Sequence, residues 1–548
     1  MTITDALTSI SKAGNFQFSY KSDIVLKDKK VSVSTNPKTV KHLLDLLFEG
    51  NFHYSEKGKY IILHSGGEKQ FTISGYIQDG KTGERISNVT VYEDQILAST
   101  LTNEKGYFKL PIKNKRRLKT ISIIAKKESY SESFIDLNAG YDQELVLPIL
   151  PSSEISLNDV VIKNNEEVSW ASKIFLSSKQ KIQNINIGSF IAKRPIQTSI
   201  LPGIGTHGLM GAQVVNKFSL NLLGGYTAGV NGFELAGLFN INKGSVKYFQ
   251  IAGIFNNVKG NVNGFQSSGI YNSINGNVAG VQVAGVATIV KGKMSGAQVS
   301  GISNITKDEM QGVQIAGITN HVGSAVTGIQ IAGLNNLNDS ATKGIQIAGL
   351  HNKSKKSMNG IQISGLINYA KNIKGLQIGL INIADSMRGF GIGLVNYYQN
   401  GYHKVAVSSN DMQQINLSYL SGTSSIYSIV SLGMSIGEHK AYAASYGFGK
   451  EILLNHKLAI NTEILGEAYY IGHWNYIPLT LKTQACVTYK FHKKFEVCAG
   501  AVFTITENKK ATTAIGYKPW LSEENKNYIP IGNKVSSWIG WQIGIRVF

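Results

Sequence analysis

A motif that recurs every 16 residues through the middle of this chain limits the possible folds more than any other feature. It begins at Gly232 and reads G-φ-Q-φ-A-G-φ-x-N, where φ is an apolar residue. The glutamine position is held first by Glu234 and then by Gln250, Gln266, Gln282, Gln298, Gln314, Gln330, Gln346 and Gln362, with Gln377 following after 15 residues. Such a period indicates one supersecondary unit stacked on copies of itself.

Two β architectures can use this period. Each repeat reads as roughly 12 residues of strand and about four of turn, which suits successive strands of an antiparallel barrel. A β-solenoid, whose stacked coils bring the same residue into a ladder, also fits a constant spacing without loop insertions. We adopt the barrel because of the strands that come after the repeats. The sequence then predicts a transmembrane β-barrel over residues 186–548, with the 16-residue strand repeats at 232–400.

The last 140 or so residues alternate more cleanly between apolar and polar side chains. Leu479, Leu481 and Val487 share one face of a predicted strand, and Lys482 and Gln484 share the other. The final strand has an apolar face formed by Ile539, Trp541, Ile543, Ile545 and Val547. Apolar-out, polar-in strands of this length are typical of a barrel in lipid, where closure pairs every backbone group. The sequence contains no run of about 18 apolar residues, so it does not predict a transmembrane helix.

Composition agrees with a mainly β protein and excludes several other classes. The chain has 58 Gly, 25 Tyr and 21 Phe, a balance that favours strands and turns. Its net charge of +20 is scattered over expected turns without a nucleic-acid motif, so we expect no nucleic-acid partner. Two cysteines supply no structural zinc site, and we expect no metal, no cofactor and no catalytic residue.

The N-terminal part is predicted to form two small domains. Residues 1–66 alternate helical and extended patterns, as in "ITDALTSISKAGNFQFSY" and "VKHLLDLLFEGNFHYSEKGKYIIL". This α+β order resembles the secretin and TonB N-terminal (STN) domain, which implies a periplasmic module for protein contacts. Residues 70–150, with "ISGYIQDGKTGERISNVTVYE" and "TLTNEKGYFKL", resemble the carboxypeptidase-regulatory-like domain, which implies a seven-stranded prealbumin-like β-sandwich.

A linker at 151–185 contains "LNDVVIK". The segment resembles the TonB box of TonB-dependent transporters, and the resemblance makes Leu157, Asp159, Val160 and Val161 candidate partner-docking residues through strand addition. The plug domain of those transporters is missing, so an inherited linker without this role is the alternative. Residues 195–400 also resemble a poorly characterised family of bacterial surface repeat proteins. Together these features resemble Bacteroidota-type outer-membrane barrel proteins.

Three groups of polar residues are candidate sites. The repeated glutamines Gln250 to Gln377 are expected to form a polar ladder in the barrel lumen, either lining a pore or filling the interior by mutual hydrogen bonds. Cys486 and Cys498 have the same inward parity and are either a disulfide or two small lumen residues. Glu463 and Glu467 share one inward face, as solvated lumen charge or as a hydrolytic carboxylate pair.

The function expected from the sequence is non-enzymatic. The chain is predicted to be an accessory or structural subunit of an outer-membrane assembly, with its N-terminal domains docking partners in the periplasm. Barrel-assembly, secretion and TonB-linked complexes are the expected partners, together with outer-membrane lipid. A passive or TonB-linked channel for a small solute is the alternative. No signal peptide is visible at Thr2 to Ala6, so we expect a leader that was removed or an earlier start.

Overall fold

The fold is mainly β and ends in a closed antiparallel barrel. This computed structural model describes the chain except residues 22–29, 33–38, 67–68, 117, 153–169, 437–439, 473, 475–476, 493, 508–528, 531–534 and 548. It divides into two compact units, the first comprising Met1–Gly269 with Ser273–Asn275 and the second Ile270–Asn272 with Gly276–Phe548.

The first unit begins with a small α+β domain. Its elements are α1 (Ile3–Gly14), β1 (Gln17–Ser19), α2 (Val40–Phe48), β2 (Phe52–Lys57) and β3 (Tyr60–Ser65). A capping box at Thr2 and Asp5 starts α1, because each side chain accepts from the other's backbone amide. The strands pair in the order β1-β3-β2, and Leu7, Leu44 and Phe48 join the core beneath the sheet. The α+β prediction for this region is confirmed.

A β-sandwich follows, as the pattern of short alternating strands predicts. Its strands are β4 (Gln70–Asp79), β5 (Thr90–Glu93), β6 (Ala98–Leu101), β7 (Tyr107–Lys113), β8 (Thr120–Lys126), β9 (Ser133–Asn138) and β10 (Gln143–Ile149). They form two sheets, ordered β10-β4-β7 and β6-β5-β8-β9. Alternate residues such as Ile73, Leu110 and Ile123 point between the sheets and are fully buried.

Two short helices, α3 (Trp170–Phe175) and α4 (Ser178–Asn186), lead from the sandwich to the repeats. Asn186 at the end of α4 donates to the carbonyl of Asn88 at 2.8 Å, and Arg194 donates to the carbonyl of Gln95 at 2.6 Å. Tyr92 and Leu97 of the sandwich pack in one cluster with Ile187, Met210 and Val214. The sandwich therefore has a fixed, partly polar contact with the start of the repeat region.

The repeats form parallel coils, so the prediction that they are barrel strands is wrong. In the first unit the strands are β11 (Ala192–Leu201), β12 (Ile204–Gly205), β13 (Val214–Asn221), β14 (Gly224–Thr227), β15 (Gly229–Ala236), β16 (Phe239–Asn242), β17 (Val246–Ala252), β18 (Phe255–Val258) and β19 (Val262–Ser268), with a 3₁₀ turn at Gly208–Gln213. The next strand, β20 (Tyr271–Ile274), has residues in both units. Strands one full repeat apart pair in parallel, so that Gln250 lies beside Gln266.

The second unit continues with the same coil geometry. Its coil strands are β21 (Val278–Ala284), β22 (Ala287–Val290), β23 (Met294–Ser300), β24 (Ser303–Thr306), β25 (Met310–Ala316), β26 (Thr319–Val322), β27 (Val326–Ala332), β28 (Asn335–Asn338), β29 (Thr342–Ala348), β30 (His351–Ser364), β31 (Ile367–Ile378), β32 (Ile381–Ile392) and β33 (Val395–Tyr398). Equivalent residues pair throughout, for example Gln314 with Gln330.

Glycines at two positions of each repeat explain why the chain coils. Gly328 has a φ of +139°, and a Cβ there would lie 1.9 Å from the carbonyl oxygen of Gly312 in the coil below. Gly333 ends the longer strand, and a Cβ there would lie 2.0 Å from the oxygen of Gly317. In a barrel hairpin the strand would continue past this position. Here the glycine turn ends the strand, and the next coil follows in the same register.

The chain ends in an eight-stranded antiparallel barrel, with one further short strand paired to it. Its strands are β34 (Tyr402–Asn410), β35 (Ile415–Gly422), β36 (Tyr427–Met434), β37 (Tyr442–Leu453), β38 (Leu458–Tyr470), β39 (Leu479–His492), β40 (Phe495–Glu507), the short β41 (Ile529–Pro530) and β42 (Val535–Val547). Pairing of β34 with β42 closes the sheet. The predicted antiparallel barrel is therefore present, but it begins at Tyr402 and not at residue 186.

Candidate functional site

The repeated glutamines lie inside the coils, fully buried, and not in a barrel lumen as the sequence predicted. From Gln298 to Gln377, each side-chain Nε2 donates to Oε1 of the glutamine one coil earlier. The distances are 3.0 Å from Gln298 to Gln282, 2.7 Å from Gln314 to Gln298, 2.8 Å from Gln330 to Gln314 and from Gln346 to Gln330, 2.7 Å from Gln362 to Gln346 and 2.9 Å from Gln377 to Gln362. The glutamines thus hydrogen-bond one another and line no pore, and the predicted location is wrong because parallel stacking encloses the ladder.

A second amide ladder lies on the shorter strand of the coils, with Thr288 in place of one asparagine. Asn320 donates to Oδ1 of Asn336 at 3.0 Å and to the carbonyl of Ile331 at 2.8 Å, and Asn336 repeats this with Asn352 at 2.9 Å. Buried amides are tolerated only when they are hydrogen-bonded, and here neighbouring coils satisfy each other. Both ladders therefore hold the register of the coils and are closed to a ligand.

Glu234 occupies the glutamine position in the first unit and accepts from the ladder. Gln250 donates to its Oε2 at 2.7 Å, and Asn242 donates to the same atom at 2.9 Å. Burial raises the pKa of Glu234 to about 7, although these donated hydrogen bonds oppose the rise. Gln266 in turn donates to Oε1 of Gln250 at 2.7 Å, so the glutamines of the first unit donate toward this carboxyl.

Apolar side chains cover the outside of the coils. Ile329 and Ile331 flank the buried Gln330 on the longer strand, and Leu334 follows the turn glycine, with 36%, 37% and 40% of their surfaces exposed. Soluble β-structures bury such residues and expose amides, so the coils are inverted relative to them. The barrel wall shows the same inversion, since Val487, Ile543 and Ile545 face outward and are about half exposed.

The barrel interior holds ion pairs that sequence reasoning missed. Arg546 donates to Oε1 of Glu463 at 2.7 Å, and Lys482 lies 2.7 Å from Oε2 of Glu467. All four side chains are buried, so the expectation of solvated lumen charge at Glu463 and Glu467 is wrong. The apolar–polar alternation of their strands places Lys482 and Arg546 inside the barrel. A cation there needs a carboxylate partner, so this alternation is the sequence signal for the ion pairs.

A further charge cluster fills the barrel near one end. Lys404 donates to Oε2 of Glu451 at 3.0 Å and to Oε2 of Glu496 at 2.6 Å, and Lys490 donates to Oε1 of Glu451 at 2.8 Å. Together with the pairs formed by Arg546 and Lys482, four cations face four carboxylates. The charges of these eight side chains therefore balance among themselves.

The cavity among the charged side chains inside the barrel is small. A cavity of about 30 Å³ lies between Ser408, Ser431, Glu463, Lys482 and Arg546. This volume accommodates about one or two water molecules. The described interior residues thus leave no passage for a solute at this level of the barrel.

The cysteines are both buried inside the barrel as free thiols, and the structure does not join them in a disulfide. Cys486 lies opposite Gly500 and Cys498 lies opposite Thr488, so they are diagonal neighbours and not a directly facing pair. Cys498 donates to the carbonyl of Gly544 at 3.5 Å. The alternative prediction for this pair, two small residues of the interior, matches their positions.

The TonB-box-like segment cannot be placed in the fold, since Leu157, Asp159, Val160 and Val161 lie outside the described residues. Within the described part of the chain, no group of three or more His, Cys, Asp or Glu side chains could hold a metal ion. Nor is any helix in that part long and apolar enough to cross a membrane.

The last coil packs against the outer wall of the barrel. Ser421 and Ser428 face outward by the alternation of β35 and β36, yet both are buried by the coil. The backbone amide of Asn396 donates to Oγ of Ser421 at 3.0 Å, and its side chain donates to Oγ of Ser428 at 2.7 Å. The hydroxyl of Tyr446 donates to the carbonyl of Gly393 at 3.1 Å. The barrel wall therefore covers the edge of the final coil, which would otherwise be an open strand edge.

Comparisons with known proteins add one resemblance. No protein-family model and no curated protein sequence matches the chain. Among solved structures, it is similar to the outer membrane protein Ail of Yersinia pestis in a phospholipid bilayer nanodisc, with a TM-score of 0.16 and 10% sequence identity. The match covers 27% of this chain and 99% of Ail. A likeness at this score carries no argument about this chain.

Proposed function

We propose that this chain is a non-enzymatic outer-membrane protein whose barrel anchors it in lipid and whose N-terminal domains dock envelope proteins in the periplasm. The inverted wall of the closed barrel is the observation that carries the proposal. Outward residues such as Leu432, Leu479 and Ile539 are at least 64% exposed, while the interior holds the charges. This arrangement costs free energy in water and gains it in hydrocarbon.

Strand length and connections support the same orientation. Strands β37 to β42, apart from the short β41, are 12 to 14 residues long, more than the roughly 9–11 that cross a bilayer. The connections at 423–426 and 454–457 lie at the barrel end that holds Val547. At the other end four residues separate β34 from β35, but seven separate β36 from β37 and eight separate β38 from β39. Outer-membrane barrels turn their short connections to the periplasm, so the end that holds Val547 is assigned there. The coils of the second unit then lie on the periplasmic side.

The filled interior favours an anchor over a channel. Four ion-paired cations and a cavity of about 30 Å³ leave the channel alternative without a supporting observation. We expect no conductance steps when the protein is reconstituted in planar bilayers. Regular conductance steps would overturn the anchor and restore the channel.

The sandwich offers a surface for the proposed docking. Strand β9 is the outer strand of its sheet, and Phe134 on it is 68% exposed. An edge strand with an exposed aromatic residue can bind a partner in two ways: the partner can add a strand to the sheet edge, or it can bind the aromatic side chain in a pocket. Barrel-assembly, secretion or TonB-linked machinery is the class of partner expected there.

The test is crosslinking in the outer membrane followed by purification in mild detergent and mass spectrometry. The full chain, a chain without residues 1–150 and a Phe134→Glu variant are compared, with Glu144→Gln as the control on the exposed surface of the same domain. We expect a stoichiometric envelope protein that is retained by the control, lost on truncation and reduced by Phe134→Glu. A barrel that purifies alone in every case would contradict the docking role.

A further inference from the structure

The coils of the second unit carry a continuous apolar surface on their outside. Three positions contribute to it, namely the residue before each glutamine, the residue after it and the residue after the turn glycine. In neighbouring coils these include Ile331, Leu334, Ile347 and Leu350, all between 37% and 41% exposed. Because coils stack about 4.8 Å apart, each position becomes a ladder along the coils. A contiguous exposed apolar surface of this kind marks an interaction site.

The contact with the barrel gives this surface a direction. Asn396 of the last coil bonds to Ser421 and Ser428, which face outward from the barrel wall. The coils therefore stack away from the side of the barrel and not along its axis. For a barrel that crosses a membrane, a column leaving its side wall near the end with short turns runs along the surface of the bilayer.

The apolar surface also joins the apolar wall of the barrel. Ile392, in the last long coil strand, lines the same groove as Phe448 and Ile464, which face outward from β37 and β38. Ile464 is 47% exposed. The two apolar surfaces therefore meet at this groove, whose lining also includes the polar side chains of Lys450 and Thr462. A medium that covers the barrel wall can reach the coils along it.

Basic side chains border the apolar surface in the coils nearest the barrel. Residues 343–388 contain seven Lys or Arg and a single acidic residue, Asp385. Lys343, Lys374 and Arg388 are exposed, and each directly precedes a bend glycine on the strand that carries the apolar ladders. This charge complements anionic head groups, whose attraction adds to that of buried apolar area.

We propose that the apolar face of these coils rests on the periplasmic leaflet of the membrane that holds the barrel, with acyl chains against Ile331 and Leu350 and anionic phospholipid head groups against the bordering Lys and Arg. The inference rests on the proposed membrane anchoring of the barrel. It assigns the coils of the second unit a role as a lateral lipid-binding platform beside the barrel.

Photocrosslinking of the full chain tests this face directly. Benzoylphenylalanine replaces Leu350 on the apolar face or Ile543 on the barrel wall. The control position is Lys307, an exposed residue directly after the short coil strand β24. Each protein is irradiated in phosphatidylethanolamine–phosphatidylglycerol vesicles with alkyne-tagged acyl chains, and again in outer membranes. We expect lipid adducts from positions 350 and 543 and none from 307. Replacing Lys343, Lys374 and Arg388 together by Gln is expected to reduce the adduct at 350 and leave that at 543 unchanged.

The contrary outcomes separate this inference from the one on which it rests. A lipid adduct at 543 without one at 350 overturns the platform and leaves the membrane anchor standing. Absence of adducts at both positions overturns the anchor as well. A protein adduct at 350 in outer membranes, in place of lipid, overturns the platform in favour of a protein partner on the same face.

Discussion

Arg546 on the last barrel strand donates to Oε1 of Glu463 on β38 at 2.7 Å, and both side chains are buried within the barrel. The hydroxyl of Tyr427 on β36 donates to the same oxygen at 2.6 Å. Side chains from β36, β38 and β42 therefore meet at one carboxylate. This contact links β42, the strand that closes the barrel, to two strands in the middle of the barrel sequence.

Arg546→Met is expected to destabilise the barrel by about 3–5 kcal/mol, because it leaves the Glu463 carboxylate buried without its cation. Urea unfolding in detergent micelles, followed by tryptophan fluorescence, measures the loss. Lys450→Met removes an exposed cation from β37 and serves as the control. The double variant Arg546→Met with Glu463→Met should recover most of the loss, and a double variant as unstable as the single one would contradict the pairing.

Glu234→Gln is expected to change the pH dependence of the first-unit coils. The folded pKa of about 7 lies above the ordinary value of 4.5, so the folded coil binds this proton more tightly than the unfolded chain does. The stability it contributes is complete below pH about 4.5 and is lost as the pH rises through about 7, a total of about 3 kcal/mol. The variant should therefore be more stable than the native chain at pH 8 and closer to it at pH 4.5.

Hydrogen exchange of peptides around residue 234 at both pH values measures this difference. Asp308→Asn changes a carboxyl in a turn of the coils and should leave the exchange at residue 234 unaffected. Equal protection of the native chain and Glu234→Gln at pH 8 would rule out a buried carboxyl with a raised pKa at this position.

Gln330→Leu is expected to destabilise the second-unit coils by about 2–6 kcal/mol. The change leaves Oε1 of Gln314 and Nε2 of Gln346 without the partners seen at 2.8 Å, and each unsatisfied buried polar group costs about 1–3 kcal/mol. Hydrogen exchange of peptides from the flanking coils reports the loss. Thr327→Val, at an exposed position of the same strand, should be neutral, and equal protection in both variants would mean that the ladder does not stabilise the coils.

Gly328→Ala is expected to disrupt stacking because the added Cβ would lie 1.9 Å from a backbone oxygen at a φ of +139°. A side chain in this backbone region costs about 1–3 kcal/mol before the clash is counted. The loss appears as a lower midpoint of thermal unfolding of the coils, with Ser340→Ala in a neighbouring turn as the control. Unchanged thermal unfolding would contradict the parallel stacking of Gly312 and Gly328.

The barrel can be predicted from sequence because its strands alternate with a period of two. Leu479, Leu481 and Val487 do face outward, and Lys482 and Gln484 do face inward. The coils resemble barrel strands in sequence because their long strand shows the same local pattern, with Gln330 inward between Ile329 and Ile331. The distinguishing signal is the constant spacing, since parallel stacking of identical residues requires it and barrel strands do not.

The polar interior is only partly predictable. The glutamine period indicates the ladder, because identical residues one coil apart must meet. The partners of Arg546 and Lys482 depend on the register and curvature of the closed sheet, and local sequence does not specify these. Inward parity shows that each cation needs a carboxylate, but only the structure assigns Glu463 to one and Glu467 to the other.

The most direct test of the central claim, that the inverted barrel wall lies in lipid, is quenching of a bimane label by doxyl-labelled phospholipid. Ile543→Cys on the wall and Lys109→Cys on the exposed sandwich surface are labelled in a chain with Cys486→Ala and Cys498→Ala, and the full protein is reconstituted in vesicles. We expect strong quenching at residue 543, greatest for doxyl groups within the acyl chains, and none at residue 109. Equal, weak quenching at both positions would contradict a wall that lies in lipid.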